Sequence, residues 1–163
     1  MLLLLLFASH GLLSQDQKAN PLAPLNMLSD KTWMIEATWA DGSVFKQEIT
    51  GEYKLNENIL ITKTLGFINP ERTLVGERSY GVRKYDEDSK SILFWEFDTF
   101  GGVTTGEIQA RGKDLWYIYN YGESTIADIW EYLDDETYAF RVVQYDNAEV
   151  GNVYLKGAYK LKK

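Results

Sequence analysis

The chain has 163 residues, of which 45% are apolar and 14% aromatic, and its formal net charge is −7. That length is enough for one domain with a sizeable core. The negative charge disfavours nucleic acids and anionic membrane surfaces as partners, because both are bound through clustered lysines and arginines. The chain contains no cysteine, which excludes disulfides and thiolate metal ligands.

The N-terminal run, residues 1–13, is almost wholly apolar but too short to span a bilayer. Such a run is typical of the hydrophobic part of a secretory signal. We therefore predict a signal peptide over residues 1–15, export to the periplasm or the cell exterior, and no stable membrane insertion after its removal. A buried N-terminal segment is the alternative. Residues 16–30, which include Pro21 and Pro24, are predicted to form a lead-in segment with one short helical turn.

From Thr32 onward, short aromatic and β-branched runs alternate with turn residues, and no helical period is present. Strands are predicted at residues 32–40, 43–55, 59–67, 74–85, 91–100, 103–111, 114–121, 126–133, 137–145 and 152–161. Because every connection is short, neighbours in sequence should pair antiparallel. Closure would remove the two exposed edges. The sequence thus predicts an all-β, up-and-down meander of about ten strands closed into a barrel, as a single domain over residues 31–163.

The first hairpin shows how a turn sets which side chains face inward, because a slip of one residue inverts a strand. A two-residue turn at Asp41-Gly42 would place the apolar faces of the two strands on opposite sides. A three-residue loop with a left-handed Gly42 instead sets Ile35 opposite Gln47. We therefore predict a type I turn with a glycine bulge, Gln47 on the inner face, and an outer Glu36–Lys46 pair.

The fifth and sixth runs are joined by Gly101-Gly102, which we interpret as a two-residue loop. This register sets Trp95 opposite Ile108 and Phe97 opposite Gly106, so that Trp95 and Phe97 face inward. It also makes Glu96 and Glu107 cross-strand neighbours on the outer face.

The following turns extend the same inward face to the alternating tyrosines Tyr117, Tyr119 and Tyr121. The Gly112-Lys113 turn sets Tyr117 and Tyr119 inward and Arg111 opposite Asp114, and the next hairpin brings Asp128 and Trp130 beside them. Buried phenol hydroxyls need hydrogen-bond partners, which indicates a lined cavity in place of a dry core. The predicted ligand-binding residues are Tyr117, Tyr119, Asp128, Trp95, Phe97, Trp130, Phe140 and Gln47. In the alternative, Asp128 lies at a wet barrel mouth and binds nothing.

For each of three further features, the sequence allows two interpretations. In the run 59–67, Ile59, Ile61 and Leu65 face inward only if Lys63 does so as well. The acidic side chains Glu96, Asp98 and Glu107 would hold a divalent cation or form an acid–base pair, or Arg78 and Arg83 would offset their charge on an outer face. The predicted outer side chains Trp116, Ile118 and Phe94 would form a partner surface, or residues 20–30 would cover them.

A tryptophan on the first strand (Thr32-Trp33) and the segments 81–86 (GVRKYD) and 94–102 (FWEFDTFGG) resemble the calycin superfamily, in particular uncharacterised lipocalin-like bacterial barrels. Lys31 stands where lipocalins carry glycine. The resemblance covers residues 30–163 and implies a barrel with a ligand cavity. Nitrobindin-like calycins hold haem through a histidine, but the only histidine here is His10, inside the predicted leader. We therefore expect no haem and no other cofactor.

Without a histidine or cysteine in the mature chain, nucleophilic triads cannot form. The sequence has no phosphate loop and no dinucleotide fingerprint. The leading hypothesis is an exported lipocalin-like barrel that sequesters a small, partly apolar or aromatic ligand. The alternatives are a cofactor-free lyase or isomerase, resembling phenolic acid decarboxylases in fold, and an interaction module with a filled barrel.

Overall fold

A computed structural model describes residues 20–163, so the predicted signal peptide over residues 1–15 lies outside the described residues. A 3₁₀ helix, Ala23–Met27, precedes ten strands. The strands are β1 Thr32–Trp39, β2 Val44–Lys54, β3 Ile59–Phe67, β4 Val75–Asp86, β5 Ser91–Asp98, β6 Val103–Arg111, β7 Asp114–Tyr121, β8 Ser124–Asp134, β9 Thr137–Asp146 and β10 Glu149–Leu161. Within the described part of the chain, no helix is long and apolar enough to cross a membrane.

The ten strands form a closed antiparallel barrel in which each strand pairs with its neighbours in sequence. Closure is made by β1 and β10, with Trp33 opposite Leu161 and Trp39 opposite Leu155. The ring therefore has no free edge, which is the physical benefit expected of closure. The all-β, ten-strand prediction is confirmed.

The hairpin between β1 and β2 has the predicted three-residue loop. Gly42 is left-handed (φ +85°), and Ile35 lies opposite Gln47. The backbone N–H of Trp39 donates to the Ser43 carbonyl at 2.9 Å, and the N–H of Gly42 donates to the Trp39 carbonyl at 2.9 Å. These two bonds close a type I turn with a glycine bulge, so the predicted register is confirmed.

The hairpin between β5 and β6 corrects the predicted two-residue loop. It has the same two backbone bonds, from Asp98 N–H to the Gly102 carbonyl and from Gly101 N–H to the Asp98 carbonyl, both 3.0 Å. The loop therefore contains three residues, and Asp98 stabilises it by accepting bonds from the N–H groups of Phe100 and Gly102. The odd offset pairs Phe94 with Gly106 and Trp95 with Thr105.

This correction turns β4 and β5 inside out relative to the prediction. Arg83 lies opposite Phe94, and both side chains are buried inside the barrel, whereas both were predicted on its outer face. Trp95 and Phe97 consequently face outward, and Phe97 is 48% exposed. The interpretation in which Ile59, Ile61 and Leu65 of β3 face inward is also wrong, because Leu60, Thr62 and Thr64 are the buried residues there.

The lead-in segment closes one end of the barrel. Its leucines 22, 25 and 28 are almost fully buried in the main core cluster together with Trp33. The indole N–H of Trp33 donates to the Met27 carbonyl at 2.7 Å, which satisfies the polar atom of a buried ring. Gly51 permits the close approach, since a Cβ there would meet the Leu28 carbonyl oxygen at 2.7 Å.

A second, smaller core cluster lies on the outer face of β7, β8 and β9. Trp116 and Ile118 pack there against Ile129, Val143 and Tyr145. The guanidinium of Arg111 covers the Trp116 ring at 3.8 Å from its centroid. The outward placement of Trp116 and Ile118 is thus confirmed, whereas Phe94 lies inside. The described lead-in leucines pack in the main cluster and not in this one, so they are not its cover.

Candidate functional site

The barrel encloses a cavity of about 620 Å³. Its lining runs from deeply buried side chains such as Arg83 and Tyr159 to exposed ones such as Phe100 and Tyr121. The exposed members lie at or next to the connections β1–β2, β3–β4, β5–β6 and β7–β8, on the end opposite the lead-in segment. The cavity therefore opens at that end, and its volume is typical of small-molecule sites.

The predicted site residues divide into two groups. Six of the eight line the cavity or its walls, and two do not. The six are Tyr117, Tyr119, Asp128, Trp130, Phe140 and Gln47. Trp95 and Phe97 are absent from the lining because the three-residue loop after Asp98 turns them to the outer face. Asp128 and Trp130 lie on the predicted inner face, Asp128 opposite Tyr117 and Trp130 opposite Leu115.

Asp128 is the acid at the centre of the predicted group. The Tyr119 hydroxyl donates to its carboxylate at 3.1 Å. The pKa of Asp128 is raised to about 7: burial raises it most, the hydrogen bond from Tyr119 lowers it, and the charge of the nearby Glu96 adds to the rise. Burial likewise raises the pKa of Tyr117 and, followed by the charge of Asp128, that of Tyr119. The phenols are therefore neutral donors, while the carboxyl group changes charge near neutral pH.

A buried ion pair stands beside this group. Arg83 Nη2 lies 2.9 Å from Glu96 Oε2, and the Arg83 side chain is only 4% exposed. Ser79 donates its hydroxyl to the other carboxylate oxygen at 2.6 Å. Gly81 makes room for the pair, because a Cβ at that position would lie 1.6 Å from Arg83 Nη1 and 2.2 Å from Glu96 Oε2. The Nε and Nη1 atoms of Arg83 have no hydrogen-bond partner within residues 20–163.

A second arginine–acid pair lies closer to the mouth. A bulge in β4 leaves Arg78 as the extra residue between Glu77 and Ser79, and its side chain lines the cavity. Arg78 Nη1 lies 3.7 Å from Asp98 Oδ2, and the guanidinium packs over the Phe100 ring at 4.5 Å. Both cavity-lining pairs therefore consist of one arginine and one carboxylate.

Across the cavity, the wall is aromatic. Trp130 stacks on Tyr159 with 3.9 Å between ring centroids, and Phe140 contacts both rings edge to face. Phe45 continues this wall from β2. The Tyr159 hydroxyl donates to Gln47 Oε1 at 2.8 Å, which satisfies the one polar atom of that buried ring. The cavity is thus polar on β4, β5, β7 and β8 and apolar on the strands from β8 round to β2.

The residues that sequence reasoning missed follow from the same error. Arg83 and Glu96 were assigned to the outside because the β5–β6 loop was interpreted as one residue too short. The signal was present: an aspartate three residues before a glycine is typical of a type I turn followed by a left-handed glycine, as at Gly101 (φ +83°). Tyr159 had no comparable signal, because its place depends on the β1–β10 closure.

The acidic cluster of the sequence analysis does not exist as a unit. Glu96 faces the interior beside Arg83, whereas Glu107 lies on the outer face and accepts a hydrogen bond from Gln109. In residues 20–163, no group of three or more histidine, cysteine or acidic side chains is arranged to hold a metal ion. Arg83 and Arg78 do pair with Glu96 and Asp98, but these pairs line the cavity, so the predicted placement on an outer face is wrong.

Comparison with known proteins adds little to this geometry. No protein-family model matches the chain, and no curated protein matches it. Among solved structures, it is similar to a redesigned β-barrel, at 13% sequence identity over 85% of this chain and 94% of that chain, with a TM-score of 0.45. A likeness at that level carries no argument about function, and the calycin resemblance stays a prediction.

Proposed function

We propose that this protein is a lipocalin-like barrel that binds a small, partly apolar molecule inside its cavity. The observation that carries the proposal is the open cavity of about 620 Å³ with one polar and one aromatic wall. Aromatic contact would supply most of the affinity, and the groups on the polar wall would orient the ligand. The cavity argues against the interaction module, which requires a filled interior. Export of the protein remains part of the proposal.

The test places a bulky side chain either inside the cavity or on the outer face of the same strand. Thr104 and Thr105 are neighbours on β6, but Thr104 lines the cavity and Thr105 is exposed on the outer face. Binding of a neutral fluorescent probe, N-phenyl-1-naphthylamine, would be measured for wild type, Thr104→Trp and Thr105→Trp. We expect Thr104→Trp to weaken binding at least tenfold and Thr105→Trp to leave it unchanged.

Equal effects of the two variants, or no probe binding by the wild-type protein, would refute the proposal. Circular dichroism and thermal melting of both variants check that each has kept the barrel. Native mass spectrometry of protein purified from its own host would then identify what the cavity carries.

Asp128 favours a second candidate function, a cofactor-free lyase or isomerase. A carboxyl group whose pKa is raised by burial to about 7 can accept and return a proton at neutral pH. The variant Asp128→Asn separates the two functions. A binding protein keeps its affinity for an uncharged ligand, whereas an enzyme that uses this carboxylate loses most of its turnover.

A further inference from the structure

The charges that line the cavity are unevenly paired. Arg83 is paired with Glu96 at 2.9 Å, and Arg78 lies 3.7 Å from Asp98. Among residues 20–163, Asp128 is the cavity acid without a lysine or arginine at ion-pair distance, and the neutral Tyr119 hydroxyl donates to it. A partly buried carboxylate without a cation is costly. A cationic ligand would remove that cost, and no other described group does so.

Titratable groups surround Asp128 on several strands. Tyr119 on β7 donates to it, and Glu96 on β5 adds a second negative charge nearby. The remaining titratable groups close enough to feel its charge are Tyr117 on β7 and Tyr159 on β10. Its opposite neighbour on β9 is the apolar Val142. Arg83 on β4 packs over the Tyr117 ring at 5.5 Å and neutralises Glu96. Within residues 20–163, the charge of Asp128 is therefore the one left unpaired in this group, and a ligand cation is its complement.

An anionic ligand has no comparable place deep in the cavity. Arg83 and Arg78 are each matched in charge by a carboxylate, so an anion meets no unpaired positive charge there. The N–H groups of Arg83 that lack a hydrogen-bond partner among the described residues can donate to a neutral acceptor on the ligand. Arg72 also lines the cavity, but it is exposed at the mouth, where it donates to the Val44 carbonyl and solvent screens its charge.

The apolar part of a ligand would lie on the aromatic wall. Trp130 is two residues from Asp128 on β8, and Phe140 and Phe45 extend the wall toward the mouth. Aromatic rings attract cations as well as hydrocarbon. Together these surroundings fit a compact molecule with an ammonium group at one end and an aromatic or branched apolar body at the other.

We propose that the cavity selects a small primary amine whose ammonium group pairs with the Asp128 carboxylate and whose apolar body lies against Trp130 and Phe140. This inference rests on the proposed function and narrows its ligand class. The cavity would favour an amine over a neutral ligand because the Asp128 carboxylate is charged and no lysine or arginine of the described residues pairs with it.

The pairing has a defined pH dependence. Because burial raises the pKa of Asp128 to about 7, about nine-tenths of the carboxyl groups are charged at pH 8 and about one-tenth at pH 6. An amine that binds only the charged form should therefore bind about tenfold more weakly at pH 6 than at pH 8. A carboxylate ligand should show the opposite trend. The chain's one histidine is His10, so no imidazole titrates among residues 20–163.

The experiment compares three probes of similar shape by isothermal titration calorimetry at pH 6 and pH 8. They are 2-phenylethylamine, 2-phenylethanol and 3-phenylpropanoate, of which the amine stays protonated at both pH values. We expect the amine to bind at least tenfold more tightly than the alcohol at pH 8, and to lose about tenfold at pH 6. The variant Asp128→Asn should abolish both the preference and the pH dependence, because the isosteric amide still accepts the Tyr119 hydrogen bond.

The control is Glu131→Gln on the same strand, which removes an acid from the outer-face pair with Arg141. This variant should bind the amine as the wild type does. Equal binding of amine and alcohol by wild type, or an unchanged amine preference in Asp128→Asn, would overturn the inference. If N-phenyl-1-naphthylamine still binds and Thr104→Trp blocks it, the proposed cavity function survives that failure. If no probe binds at all, both proposals fail together.

Discussion

The two ends of the barrel use their inward-facing residues in opposite ways. At the closed end, the lead-in leucines and Trp33 fill the interior, and polar atoms such as the indole N–H bond to lead-in backbone. At the open end, arginines, acids and tyrosines line empty space, and Arg83 keeps two nitrogens without a partner among the described residues. The closed end therefore supplies stability, and the open end supplies a site that is costly to keep folded.

Exposed apolar side chains follow the same division. Nine of the eleven large apolar residues exposed within residues 20–163 lie on or beside the open-end hairpins, and two lie at the closed end. The nine are Val44, Leu74, Val75, Tyr80, Phe97, Phe100, Val103, Tyr121 and Val150, and the two are Leu55 and Leu133. Three of the nine, Val44, Phe100 and Tyr121, line the cavity mouth, where an apolar ligand would enter.

The largest effect should come from the closed end. Replacing the fully buried Trp33 by alanine removes a large ring from the lead-in contact and should cost about 3–5 kcal/mol of unfolding free energy. Trp33→Phe keeps most of the packing but leaves the Met27 carbonyl without its donor, so it should cost less. Chemical denaturation measures both. Leu133→Ala, at an exposed position of the same end, is the control and should change stability by less than about 0.5 kcal/mol.

The ion pair on the polar wall should give the next effect. Glu96→Gln leaves the nearly inaccessible Arg83 guanidinium without its counter-charge and should cost about 3 kcal/mol. The double variant Arg83→Met/Glu96→Met should recover most of that loss, since no unpaired charge remains. Glu77→Gln breaks the exposed Lys63–Glu77 pair and should change stability by less than about 0.5 kcal/mol. A double variant as unstable as the single one would contradict this account.

Asp128 should make the open end less stable as pH rises. Its folded pKa of about 7 lies above the ordinary aspartate value, so the folded state binds more protons than the unfolded state between about pH 4 and pH 7. Stability from this group is therefore present at low pH and lost as pH rises through 7. Compared with Asp128→Asn, wild type should lose about 2–3 kcal/mol between pH 5 and pH 8. Denaturant melts of both proteins at the two pH values test this, and parallel pH profiles would contradict it.

The smallest effect should come from the rim. Tyr121 is 75% exposed at the cavity mouth, and Tyr121→Ser should change the unfolding free energy by less than about 0.5 kcal/mol. The same variant should weaken probe binding slightly, because the ring lines the mouth. A loss of unfolding free energy above about 1 kcal/mol, measured by thermal melting, would show that the open end also contributes to stability. That result would contradict the contrast between the two ends.

Much of the site was accessible from the sequence. The alternation of Tyr117 and Tyr119 and the Gly112-Lys113 turn fixed one face, and the tight turn transmitted that face correctly to Asp128 and Phe140. The error began at one loop. Because side chains alternate with a period of two, an odd miscount after Asp98 exchanged Trp95 and Phe97 for Phe94 and Glu96.

The amino-acid sequence by itself determined the ten strands, their antiparallel order and most turns, because alternation and turn residues act over a few neighbouring positions. Only the tertiary structure decided that Tyr159 stacks on Trp130 and donates to Gln47, and that the lead-in closes one end. These contacts join residues far apart in the chain, so they depend on how the closed ring brings its strands face to face. Local pattern sets each strand, and closure sets what the strands enclose.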